Sequence, residues 1–115
     1  MDIIEATSML SALAQSTRLQ AFRLLVGHAP DGLPAGAIAR ELGIPQNTSS
    51  THLAILVNAG LANSERNGRS ITYRANLDRF GELNLYLLQD CCRGRAEICE
   101  PLVAALTPCC AATPA

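Results

Sequence analysis

The chain has 115 residues, 49% hydrophobic and 3% aromatic, with no Trp and a formal net charge of −1. This length suits a single domain with an aliphatic core, the apolar fraction excludes a disordered chain, and no apolar run reaches the roughly 18–20 residues of a membrane span. The N-terminal stretch carries Asp2 and Glu5 and no basic segment, so a soluble, cytoplasmic protein is expected.

Taken in order, Ile3 to Ala14 predicts a first helix with Ile3, Met9, Leu10 and Leu13 on one stripe. Ser16 is a suitable N-cap for a second helix running to about Val26, with Leu19, Phe22, Leu25 and Val26 as its buried face. Gly27, Pro30, Asp31 and Gly32 then break the chain. Pro34 opens a short third helix, Ala35 to Leu42, with Ile38 and Leu42 inward, and Gly43 ends it. Ile44 and Pro45 lead into a fourth helix, Gln46 to Ala59. A short helix, a tight Gly-containing turn and a second helix is the helix-turn-helix pattern.

The fourth helix has two unlike halves. Gln46, Asn47, Thr48, Ser49, Ser50, Thr51 and His52 are all polar, whereas Leu53 to Val57 is strongly apolar. Asn, Ser and Thr are weak helix formers. Their presence on a projecting first half makes sense if they read base edges, as the N-terminal residues of recognition helices do. The charge pattern agrees. Residues 40–76 carry Arg40, Arg66, Arg69 and Arg74 against Glu41 and Glu65, and both flanking stretches are net acidic.

Gly60 ends this helix. Leu61 to Glu65 and Ser70 to Ala75 predict two short strands, with Arg66, Asn67, Gly68 and Arg69 forming an Asn-Gly hairpin turn between them. The hairpin tip thus presents two Arg beside the polar helix, and Arg66, Asn67 and Arg69 join Gln46 to His52 as candidate DNA-contacting residues. A last helix runs from Leu77 to about Arg93 with Phe80, Leu83, Leu87 and Leu88 on its apolar stripe, and Gly94 stops it. The fold expected is mainly α with a small β-hairpin. There is no Gly-rich phosphate loop, no paired carboxylates in a plausible cleft and no Cys–His base arrangement, so an enzyme is not expected.

Several of these strings together resemble the ArsR/SmtB family. They are Leu10 to Ala14 with Thr17-Arg18-Leu19, Gln46 followed by Ser50 to Leu56, Ala59-Gly60-Leu61, and Gly68-Arg69 with Tyr73-Arg74. The resemblance covers residues 5–90. It implies a winged helix-turn-helix repressor, homodimeric through its first and last helices, that binds double-stranded operator DNA and leaves it on binding a metal ion or metalloid. It divides the chain into a DNA-binding and dimerisation domain, 1–94, and a cysteine-containing hook and tail, 95–115. Two familiar sensor sites of the family are missing. The third-helix stretch that carries Cys-Val-Cys in arsenical sensors of the founding type reads Leu33-Pro34-Ala35-Gly36-Ala37, and the last helix lacks the His of the zinc-sensing type, the chain's two His being His28 and His52.

All five cysteines lie instead in the last 25 residues: Cys91, Cys92, Cys99, Cys109 and Cys110. An odd count with two adjacent pairs argues against a disulfide framework. Other family members are similar in carrying a Cys-Cys pair and a nearby third Cys after the last helix, an arrangement associated with trivalent arsenic. Cys91 continues the Leu83–Leu87 spacing, Cys92 follows Leu88 by the same interval, and Gly94 lets Cys99 fold back. Three thiolates suit As(III) or Sb(III), because soft ligands select soft acceptors. Cys109 and Cys110 are further candidates that would extend the set toward Cd or Pb. Sensing of methylated trivalent arsenicals by two sulfurs and a thiol redox switch are the alternatives on the same residues.

Overall fold

The computed structural model describes residues 1–88 and Pro101. The chain divides into two units, Met1–Leu83 and Asn84–Ala115. The expected boundary at 94/95 and all five cysteines lie outside the described residues.

The first unit contains α1 (Ile3–Leu13), α2 (Ser16–Gly27), β1 (Leu33–Pro34), α3 (Ala35–Leu42), α4 (Gln46–Asn58), β2 (Ala62–Asn67), β3 (Ser70–Ala75) and the start of α5 (Leu77–Leu88). The strands form one antiparallel sheet in the order β1-β3-β2. This is the winged helix-turn-helix architecture that the resemblance implies, with the helix-turn-helix and the hairpin where their sequence signals predict them.

α1 is launched by a capping box: the Asp2 carboxylate accepts from the Glu5 N–H at 2.7 Å, and the Glu5 carboxylate accepts from the Asp2 N–H at 3.4 Å. Its buried face is Ala6, Met9 and Ala12. Of the predicted stripe only Met9 is fully buried; Ile3 is 61% and Leu10 is 40% exposed. Small residues let α1 approach its neighbours closely, and its larger apolar residues are left on the outside.

α2 begins one residue earlier than a Ser16 cap implies. Gln15 is the N-cap, its side-chain oxygen accepting from the Arg18 N–H at 2.9 Å. Ala21, Phe22 and Leu25 are buried, whereas Leu19 and Val26 are exposed. The inward arc is therefore centred on Ala21, Phe22 and Leu25 and includes the small Ala21, which the apolar stripe omits. Phe22 meets Phe80 of α5 with ring centroids 5.0 Å apart and planes inclined by 58°, an attractive tilted aromatic arrangement.

β1 has no strand signal in the sequence, being only two residues long. Its Leu33 and Pro34 pair with Tyr73 and Thr72 of β3. Gly32 makes this approach workable: it sits at φ 77°, and a Cβ there would strike the Tyr73 carbonyl oxygen and the Arg74 side chain.

α3 ends at Gly43 in the left-handed conformation, φ 67°. The Ile44 N–H donates to the Ala39 carbonyl and the Gly43 N–H to the Arg40 carbonyl, both at 3.2 Å, the two bonds of a Schellman closure. Ile38 and Ala39 are buried. The core they join includes Met9, Leu25, Leu53, Leu56, Leu61 and Leu83, all almost fully buried. Each such Leu contributes about 1.5–3 kcal/mol of transfer free energy.

α5 opens with the Asn76 side chain accepting from the Arg79 N–H at 3.2 Å. Arg79 bonds to Glu82 and lies 3.5 Å from the Glu5 carboxylate of α1. The Glu82 hydrogen bond is the main cause of a raised Arg79 pKa, with Glu5 adding to it. Leu83 is buried, whereas Leu85, Leu87 and Leu88 are 67%, 40% and 37% exposed.

Candidate nucleic-acid interface

The helix-turn-helix consists of α3, the turn at Gly43, Ile44 and Pro45, and α4. One row of α4 faces the interior: Ser49, Leu53 and Leu56 are 1%, 0% and 0% exposed. This i, i+4, i+7 spacing defines a single side of the helix. The other side of its first half presents Gln46, Asn47, Thr48, Ser50 and Thr51, all exposed. Part of this row is ordered locally: Thr51 Oγ1 donates to the Asn47 carbonyl at 3.1 Å, and Asn47 Oδ1 accepts from the Thr48 N–H at 3.0 Å. Gln46 and Asn47 carry amide groups of the kind that read the adenine edge in a major groove.

Two members of the predicted contact set are placed differently. Ser49 is buried, with a hydroxyl that has no hydrogen-bond partner, so it is withdrawn from the residues able to touch a base. It occupies the inward row because it lies four residues before Leu53, and the helical period overrides its polarity. His52 is half-buried. Its Nδ1 lies 3.4 Å from the Arg18 guanidinium of α2, which ties the ring to the protein body. Arg18, which has the look of a plain surface charge in the sequence, is partly buried and its Nε also donates to the Ala12 carbonyl at 2.6 Å. The signal that could have found this link is weak, since 34 residues separate Arg18 from His52 and no periodicity relates them.

The hairpin stands as predicted, with a shifted turn. β2 runs on to Asn67, which pairs with Ser70, so Gly68 at φ 65° and Arg69 are the two central turn residues. Arg66, Asn67 and Arg69 are all exposed. Lower down, Arg74 lies 2.6 Å from Glu65 across the hairpin. That pair neutralises the one acid of the hairpin, leaving Arg66 and Arg69 as its net positive charge. Guanidinium groups at such a tip suit phosphate contact.

Among the described residues no three His, Cys, Asp or Glu side chains converge into a metal site, and no helix is long and apolar enough to cross a membrane.

Comparison with known proteins agrees with this geometry. A family model described as a helix-turn-helix domain matches residues 13–65. No curated protein matches the chain. An ArsR-like transcriptional regulator from Rhodococcus sp. RHA1 is 30% identical, over 90% of this chain and 92% of that one, with a TM-score of 0.65. The homodimeric winged helix-turn-helix DNA-binding domain of a Mycobacterium bovis protein is 26% identical, over 81% and 84% of the two chains, with a TM-score of 0.62. The transcriptional repressor BigR from Xylella fastidiosa is 28% identical, over 74% and 86%, with a TM-score of 0.58. Fold, exposed polar row and relatives coincide: the chain belongs to the ArsR family of winged helix-turn-helix proteins, which are DNA-binding transcriptional regulators rather than enzymes.

Proposed function

We propose that the protein is a homodimeric repressor that holds operator DNA in its apo form and releases it when As(III), or Sb(III), is bound by Cys91, Cys92 and Cys99. The observation that carries the sensing half is compositional: all five thiols of the chain fall after residue 90 and none falls earlier. An all-sulfur donor set favours soft, thiophilic acceptors over zinc, and binding displaces the thiol protons. Cys109 and Cys110 supply a reserve of ligands.

The DNA half rests on the outward row Gln46, Asn47, Thr48, Ser50 and Thr51, supported by the exposure of Arg66, Asn67 and Arg69 on the wing, side chains suited to the flanking backbone or minor groove. A second copy as partner is supported by the homodimeric M. bovis relative. It is also supported by Ile3, Ile4 and Leu10, apolar yet exposed on α1, and separately by Leu85 and Leu87 on α5. Release requires that the metalloid-bound form bind DNA more weakly, and allosteric couplings of about 1–3 kcal/mol are typical.

The test is arsenite titration of a fluorescent complex between the full-length protein and a duplex that it enriches from a random-sequence library. Arsenite should release the duplex. Replacing Cys91, Cys92 and Cys99 together by Ser should abolish release and spare binding. A triple variant that still responds to arsenite contradicts the assignment. Release by peroxide in metalloid-free buffer, with none by arsenite, replaces it with a thiol redox switch. Release by methylated arsenicals alone, surviving loss of one of the three cysteines, points to a two-sulfur site.

A further inference from the structure

The reading half of α4 is weakly attached to the protein body. Pro45 leads into the helix without a side-chain cap. Ser49 brings only a small side chain and an unpartnered hydroxyl inside. The large apolar anchors, Leu53 and Leu56, both belong to the second half. A side-chain hydrogen bond from Arg18 to His52 joins the middle of α4 to α2.

Arg18 is itself held at two further points. Its own N–H is capped by Gln15, and its Nε donates to the Ala12 carbonyl at 2.6 Å. Ala12 lies in the last turn of α1, where carbonyls lack intrahelical partners and the helix end carries partial negative charge that favours a cation. A guanidinium only donates, so His52 Nδ1 accepts and the imidazole proton sits on Nε2. One side chain thus joins α1, α2 and the midpoint of α4.

We propose that Arg18 is a positioning residue for DNA reading: through His52 it fixes the roll of α4 about its own axis, referred to α1. A roll of about 20° would carry an atom roughly 5 Å from the axis through roughly 2 Å. Hydrogen bonds to base edges tolerate only about 0.5 Å, so Gln46, Asn47, Ser50 and Thr51 can act together only when the roll is set. The planar fork matters because Nε and the terminal nitrogen serve two acceptors at once. A Lys ammonium, a point charge, does not reproduce that geometry.

The experiment uses the full-length protein, the duplex it enriches from a random library, and a base-shuffled duplex, with affinities measured across a range of salt concentrations. Arg18→Met and His52→Leu should each weaken binding to the enriched duplex about tenfold and to the shuffled duplex less than about twofold, a coupling of ordinary size for side chains in contact. The slope of affinity against salt should not change, and the double variant should lose no more than either single one. His52→Gln, which keeps an acceptor, should recover most of the affinity, and Arg18→Lys should not. Equal losses on both duplexes, with the salt slope falling by about one unit, would make Arg18 a phosphate contact and overturn the proposal. Unchanged affinity in variants that still melt cooperatively would overturn it too. If Arg18→Met does not fold, Arg18→Lys and His52→Leu decide by the same criteria. A wild-type protein that enriches no duplex at all would instead overturn the DNA-binding reading on which this one rests.

Discussion

The two halves of α4 obey different rules within one continuous helix. From Leu53 onward the inward positions are apolar and fully buried, and the helix closes through the Leu61 N–H donating to the Leu56 carbonyl at 3.0 Å. Before Leu53 the inward row holds only Ser49, and the outward row is uniformly polar. The second half is held by the core, and the first half is held out from it. A helix that reads DNA needs both: an anchor insensitive to the ligand, and a solvent-facing polar row that the protein's own hydrogen bonds engage only in part.

Mutations on the two sides of this division should separate stability from binding. The largest effect belongs to the anchor. Leu53→Ala should destabilise folding by about 2–5 kcal/mol in urea denaturation, from lost transfer free energy and the cavity left behind, and DNA binding should be lost only as the protein unfolds. On the reading side, Asn47→Ala should leave stability within about 0.5 kcal/mol. It should cost about 1–3 kcal/mol of discrimination between the enriched duplex and a single-base variant, read by competition anisotropy.

Ser49→Ala probes the boundary. Removing a buried hydroxyl with no partner should raise stability by about 1 kcal/mol and leave affinity unchanged; a loss of affinity would return Ser49 to the reading row. The smallest effect is expected at the wing. Glu65→Gln breaks an exposed pair with Arg74, each side chain more than a third exposed, so stability should shift by less than about 1 kcal/mol. Affinity for any duplex should rise slightly at low salt as Arg74 is freed.

Much of this division is legible in the sequence, for physical reasons. Gly43 and Pro45 punctuate the helix-turn-helix, and the switch from polar to apolar at Leu53 marks the two halves. Asn67-Gly68 announces the wing, although the strand extends one residue further than a centred Asn-Gly turn implies. Other features depend on tertiary contact. β1 is two residues long and exists because Gly32 allows close approach to β3. The inward face of α1 combines the predicted Met9 with Ala6 and Ala12, which hydrophobic periodicity ranks below Ile3 and Leu10. Ser49 is buried by its phase on the helix, against its polarity. Arg18 and His52 meet across 34 residues of chain. The cysteine cluster is the reverse case: plain in composition, and outside the described residues.

The DNA-facing surface proposed here is the outward row of α4 together with the hairpin tip. Cross-saturation NMR tests it most directly, with deuterated protein bound to the enriched duplex and the duplex protons irradiated. Intensity losses are expected at Gln46, Asn47, Thr48, Ser50 and Thr51 and at Arg66, Asn67 and Arg69, with Ile3, Ile4 and Leu10 unaffected. Losses centred on the exposed face of α1, with the α4 row untouched, would contradict it.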